Sequence, residues 1–271
     1  MLPSTMPRFG WGTWRMGERS RARAQEIAAV RAGLELGVAL IDTAEMYGDG
    51  SAEEIVGEAI AGRRDDVYIV SKCYPHHAGA RSMPAACEGS LKRLRIERID
   101  CYLLHWRGRT PLAETVDTFE RLVREGKIAR WGVSNFDVDD MQELFALSAG
   151  KRCLTNQVLY HLKDRAAEGR LLDLCRANGV TLMAYSPLGQ GSLLRDRALQ
   201  SIASSIGATP AQLALAFVLL HENVIAIPKA SNIDHLRENV AALDLTLDEA
   251  TRAKLDASFP RPSGTTPLSF A

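Results

Sequence analysis

The sequence has no excess of charge of either sign: 33 basic and 33 acidic side chains cancel over 271 residues. A nucleic-acid partner needs a net basic surface, so the balance argues against that class. No apolar run approaches the roughly 18 residues of a membrane span. The opening MLPSTMPRFGWGTW has neither a basic n-region nor an apolar h-region, so no signal peptide is expected. Cysteine is scarce, and Cys73, Cys87, Cys101, Cys153 and Cys175 show neither CxxC nor Cys/His metal spacing. They read as small buried residues in a reducing compartment, which predicts a cytoplasmic protein without a metal site. Two phosphate-binding motifs are also missing. No GxGxxG follows the first predicted strand and no GxxxxGK[ST] is present, which argues against an open dinucleotide-binding sheet and a P-loop.

What is present is alternation. Short apolar runs at 39–42, 67–71, 100–105, 130–134, 155–158, 181–185, 224–228 and 242–245 read as strands. Most lack polar alternation, as expected of parallel strands covered on both faces. Helix-periodic segments separate them. Ile27, Val30 and Leu34 share one helix face that Gly37 can end, and Thr209–Pro210 marks the start of another helix. Ser51 with Glu54, and Thr246 with Glu249, read as capping boxes. Eight strands alternating with helices predict an α/β fold, a (β/α)8 TIM barrel, and 271 residues suit one. No linker or internal repeat divides the chain, so a single domain over 1–271 is expected. The sequence marks no dimer face, and a monomer is the default.

Barrels of this kind carry their chemistry at the carboxyl ends of the strands. Asp42, Lys72, His105, Ser134, Asn135, Asn156, Gln157, Tyr185, Ser186 and Lys229 all fall there, with Tyr47 on the loop after Asp42. Singly, Asp42 could cap a turn and His105 could be a core histidine. Lys72 is harder to dismiss, because a lysine flush against VYIVS is at least partly buried and needs an anion, which Asp42 supplies. Together they make a site for moving a proton at a carbonyl. Tyr47 would supply the proton, Lys72 would lower its pKa, Asp42 would hold Lys72, and His105 would polarise the carbonyl oxygen. The set contains no nucleophile and no metal cage, so the remaining reactant is a hydride from a cofactor.

These segments resemble those of the aldo/keto reductases, nicotinamide-dependent barrels. The resemblance runs from FGWGTW at 9–14 to the helix ending near Phe259. It rests on GVALIDTAEMYG, VSK at 70–72, YLLHW at 102–106, GVSNF at 132–136, NQVLYH at 156–161, AYSPLGQG at 184–191 and IPKASNIDHLREN at 227–239. It implies that Asp42, Tyr47, Lys72 and His105 are catalytic. It further implies that Ser134, Asn135 and Gln157 hold the nicotinamide carboxamide while Tyr185 stacks on its ring. Ser186, Leu188 and Gln190 would line the pyrophosphate, and Gly12, Thr13 and Trp14 the nicotinamide end. Lys229, Ser231, Asn232, His235, Glu238 and Asn239 would contact the adenosine portion. The TAEMY and LLHW variants and the short tail are similar to small bacterial members, some of which act on methylglyoxal.

Two departures bear on specificity. Ala230 and His235 stand where the family usually has a serine and an arginine, and Arg237 is displaced by two positions. NADPH is therefore expected to be preferred by a reduced margin, with NADH usable. Only WRGRTPLA separates His105 from the next helix, and about a dozen residues follow the last one. The site should thus be open, walled by Trp14, Tyr47, Tyr74, His105 and Trp106 with Trp11 and His76 as further candidates, and should take small aldehydes and 2-oxoaldehydes. Two rival functions fit less well. A redox-sensing, cofactor-holding binding protein on the same fold usually has an extra N-terminal segment. An aldolase or hydrolase using Lys72 as a Schiff base needs an uncharged lysine, which Asp42 opposes.

Overall fold

The protein is described by a computed structural model covering residues 6–230, 232–262 and 266–270. Eight parallel strands stand in chain order: β1 (Gly10–Gly12), β2 (Leu40–Asp42), β3 (Tyr68–Cys73), β4 (Ile99–Leu104), β5 (Ile128–Ser134), β6 (Thr155–Leu159), β7 (Thr181–Tyr185) and β8 (Val224–Ile227). The ring is completed between the last strand and the first. Ala226 donates to the carbonyl of Arg8 at 3.1 Å, and Gly12 to that of Pro228 at 3.2 Å. The helices are α1 (Arg23–Glu35), α2 (Ser51–Ala59), α3 (Ser82–Leu94), α4 (Leu112–Arg124), α5 (Val138–Ala146), α6 (Arg170–Ala177), α7 (Arg197–Ser205), α8 (Pro210–Val218), α9 (Ile233–Val240) and α10 (Glu249–Ser258).

The strand count was right, but its membership was not. GWG at 10–12 forms β1, whereas ALDL at 242–245 is mainly a 3-10 turn (Ala241–Asp244). A three-residue strand with two glycines has no apolar signature. It needs those glycines because a Cβ at Gly10 would strike Leu40 and one at Gly12 would press on the carbonyl of Ile227. The segment at 242–245 finds no free sheet edge, because β8 is already joined to β1.

Helix ends show the same mixture. Gly37 leaves α1 at φ +83°, and Thr209 and Gln212 form a reciprocal capping box before α8. The box expected at Ser51 does not form. Gly50 enters α2 with φ +89°, so Ser51 already has helical backbone angles and is past the capping position. At α10 the cap is Asp248, which accepts from the Thr251 N–H at 2.8 Å, not Thr246. A carboxylate suits the positive end of a helix.

Inside the ring, Leu40, Tyr68, Val70, Cys101, Leu103, Met183, Ile225 and Ile227 form a closed apolar plug. Each fully buried aliphatic side chain there contributes about 1.5–3 kcal/mol. A larger apolar layer lies between strands and helices. Gly132 faces the plug, where a Cβ would come within 2.9 Å of Leu103.

Candidate active site

Strand periodicity carries the inward series of the plug upward into polar residues. Leu40 is followed two residues later by Asp42, Tyr68 and Val70 by Lys72, Cys101 and Leu103 by His105, and Met183 by Tyr185. These polar residues converge on a cavity of about 820 Å³. Asp42, Tyr47, His105, Ser134, Asn135, Gln157 and Tyr185 all line it, and fully buried Lys72 lies beneath.

Lys72 Nζ makes three hydrogen bonds, to Asp42 Oδ2 at 2.8 Å, the Thr43 carbonyl at 2.9 Å and the Tyr47 hydroxyl at 3.2 Å. These match the three donors of an ammonium. The second oxygen of Asp42 accepts from the Gln157 amide at 2.7 Å. Burial pushes the Asp42 carboxyl up and the Lys72 ammonium down from their ordinary values, and the attraction between them opposes both shifts. The pair is satisfied by hydrogen bonds on both sides, which is what keeps buried charges ionised.

The expectation that Lys72 lowers the pKa of Tyr47 does not hold. Burial first, and the Asp42 carboxylate second, push the phenol well above its ordinary 10. The charge of Lys72 is largely engaged by Asp42. A phenol in this state retains its proton throughout the neutral range. His105 is also neutral: burial, then repulsion from Lys72, lower it to about 2. Its Nδ1 is sealed and has no hydrogen-bond partner among the described residues, so the ring can offer only Nε2 to the cavity. The rings of Tyr47 and His105 meet edge to face with centroids 5.8 Å apart.

The amide ledge is pre-arranged. Ser134 Oγ donates to the Gln157 carbonyl at 2.8 Å, Asn135 Nδ2 to the His105 carbonyl at 3.1 Å, and the Tyr185 hydroxyl to Asn135 Oδ1 at 3.1 Å. Asn135 has φ +59°, and Arg15, Ser186 and Gln190 on the same cavity wall also have positive φ. Strained backbone of this sort concentrates at binding sites.

Gly12, Trp14, Trp106, Ser186, Leu188, Gln190, Lys229, His235, Glu238 and Asn239 also line the cavity. Several expected residues stand elsewhere. Thr13 is buried with its hydroxyl on the Asp42 carbonyl, and Asn232 caps α9 by accepting from the Asp234 N–H. Ser231 lies outside the described residues. Asn156 points outward and pins the backbone of Phe136. Trp11 packs on Gly33 of α1, because β1 turns it away from the ring interior. Tyr74 and His76 are outside the cavity wall: the chain turns sharply after Cys73, and Tyr74 lies behind Trp106, 6.1 Å away. Arg237 is exposed and bonds Asp234.

Arg15, Met46, Leu194 and Phe270 line the cavity and went unread in the sequence. Arg15 lies over the Trp14 ring at 4.4 Å. Phe270 brings the tail back to the mouth, so the short tail does not leave the site entirely open. An aromatic residue near the end of a polar tail was the available signal.

An aromatic face, an amide ledge and an end with Arg15, Lys229 and His235 fit the ring, carboxamide and phosphates of a nicotinamide dinucleotide. Residues 8–259 match the profile of the aldo/keto reductase family. The chain belongs to the aldo/keto reductases. It is 49% identical to methylglyoxal reductase YeaE of Escherichia coli over 269 residues, covering 97% of this chain and 95% of that protein. Glyoxal reductase of Bacillus subtilis is 35% identical, covering 93% and 88% respectively. The crystal structure of an aldo/keto reductase from Klebsiella pneumoniae in complex with NADP and acetate superposes with a TM-score of 0.96. It is 50% identical, with 98% of this chain and 96% of that one covered. Among the described residues, no single helix is long and apolar enough to cross a membrane, and no cluster of metal-ligating side chains occurs.

Proposed function

We propose that this protein is an NADPH-dependent reductase of small aldehydes and 2-oxoaldehydes, methylglyoxal among them, with Tyr47 as proton donor. One observation carries the assignment. Lys72 donates to Asp42, to Thr43 and to the Tyr47 oxygen, so the hydrogen of the phenol is left to point into the cavity. When bound, the nicotinamide supplies a hydride to the carbonyl carbon. Tyr47 gives its proton to the carbonyl oxygen, and Lys72 stabilises the phenolate that remains. Neutral His105 donates from Nε2 to the same oxygen and orients it. Asp42 and Gln157 keep the lysine charged and fixed.

Trp14, Met46, Trp106 and Phe270 give the substrate end a largely apolar wall, which suits short aldehydes. Ser134, Asn135 and Gln157 would hold the carboxamide, Tyr185 the ring, and Arg15, Lys229 and His235 the phosphates. With Ala230 buried and Arg237 turned to Asp234, Lys229 and Arg15 are the permanent cations lining the cavity among the described residues. NADPH should therefore be preferred by less than about a thousandfold, roughly 4 kcal/mol, with NADH usable. Steady-state assays of methylglyoxal, glyoxal, short aldehydes and aldoses with each cofactor test both statements. Turnover of short 2-oxoaldehydes with NADPH is expected. A protein that binds NADPH tightly yet reduces none of them would contradict the reading.

A further inference from the structure

The loop bearing Tyr47 also carries a carboxylate that the reduction does not use. Glu45 is only 9% exposed. Its Oε1 accepts from the Tyr74 backbone N–H at 2.7 Å and from His77 Nδ1 at 2.8 Å. A carboxylate only accepts, so Nδ1 is the protonated nitrogen of His77. The Glu45 N–H donates in turn to the Lys72 carbonyl at 3.2 Å. Two bonds thus fasten the Tyr47 loop to the segment that follows β3, and a third fastens it to β3 itself.

That segment supports the cavity wall. Tyr74 stacks on His76 with centroids 4.8 Å apart and meets Trp106 edge-on at 6.1 Å. Trp106 lies against His105 at 4.9 Å. The loop after Trp106 sits on Pro75, where a Cβ at Gly108 would come within 2.8 Å of the proline ring. A buried carboxylate is a costly way to join two loops unless their spacing matters. On one side of Glu45 is the phenol, two residues away; on the other is the backing of Trp106.

We propose that Glu45 is a positioning residue for the substrate, held by His77 and the Tyr74 amide, and that it fixes the distance between Tyr47 and the Trp106 wall. The proposal deepens the reductase reading and rests on it. Neither side chain contacts Lys72 Nζ, Asp42 or the Tyr47 hydroxyl, so the tie should act on substrate binding more than on proton transfer.

The test uses the full-length protein with His77→Ala, His77→Asn and Glu45→Leu. Amide hydrogen exchange at Tyr74, measured without substrate, should accelerate at least about tenfold in Glu45→Leu, which removes the acceptor. The KM for methylglyoxal should rise about fivefold in His77→Ala, with kcat within about twofold and the NADPH dissociation constant unchanged. His77→Asn, whose amide can donate from nearly the position of Nδ1, should restore KM. Unchanged KM in His77→Ala, or a loss confined to kcat, would overturn the proposal. So would a KM rise that His77→Asn does not restore. A wild-type protein that reduces no short aldehyde would instead defeat the functional reading, while the exchange result would still report on the tie itself.

Discussion

Two charge clusters with buried centres in this barrel look alike on paper and differ in what they can do. One is Asp42, Lys72, Gln157 and Tyr47. The other is Arg165, Glu168, Tyr160, Asp256 and Arg261, which binds the connection after β6 to α10 and the chain beyond it. Glu168 accepts from Arg165 through both oxygens and from the Tyr160 hydroxyl at 2.8 Å, and it pairs with Arg261 at 2.8 Å. Arg165 also reaches Asp256 and the Phe259 carbonyl. Each cluster has a tyrosine against a charged group, but of opposite sign. Tyr160 gives its hydrogen to a carboxylate, and burial with that carboxylate pushes its pKa well up. Tyr47 receives a hydrogen from an ammonium, and its side chain lines a cavity. Burial and charge are common to both clusters; what sets the first apart is the cavity that Tyr47 lines.

The largest effect expected from this contrast is that of Lys72→Met. It strands Asp42 without its cation, so stability should fall by about 3–5 kcal/mol in denaturant unfolding. Methylglyoxal reduction should drop at least about a hundredfold in the folded fraction. Arg165→Met should cost a similar 3–5 kcal/mol by leaving Glu168 underpaired, yet leave kcat of the folded enzyme within about twofold. If Arg165→Met abolished turnover in a folded protein, the division between the clusters would fail.

The next effect is in acid. Folded His105 resists protonation down to about 2, whereas the unfolded chain binds a proton there below its ordinary 6.5. The stability this neutral histidine provides is complete above about pH 6.5 and is lost as pH falls through that window, by up to about 1.4 kcal/mol per unit. Wild type should therefore lose more stability between pH 6.5 and 4.5 than His105→Asn, and equal slopes in urea melts would refute the burial assignment. The smallest effect belongs to Tyr160→Phe. It should cost about 1 kcal/mol without changing kcat, whereas the same substitution at Tyr47 should remove the proposed proton donor.

The legibility of this molecule followed from how residues are displayed along the chain. Asp42, Lys72, His105 and Tyr185 were readable because each ends an apolar run, and a barrel brings strand ends together. The strand at Gly10–Gly12 was not, because close packing against Leu40 and Ile227 removes the side chains that would have announced it. ALDL was misread because four residues cannot show whether a partner strand is free. Contacts such as Arg15 and Phe270 depend on how loops and the tail fold back, which no local periodicity encodes. The same is true of the Tyr47 pKa. Proximity to a lysine was predictable, but not that burial and Asp42 would push the phenol up.

Single-turnover reduction of methylglyoxal by enzyme preloaded with NADPH, comparing wild type with Tyr47→Phe, addresses the central claim most directly. Cofactor affinity should be unchanged, measured by quenching of protein fluorescence, while the rate of NADPH oxidation falls by about 10²–10⁴-fold. Oxidation of NADPH at the wild-type rate by Tyr47→Phe would contradict the assignment of the unspent phenol proton as the one transferred.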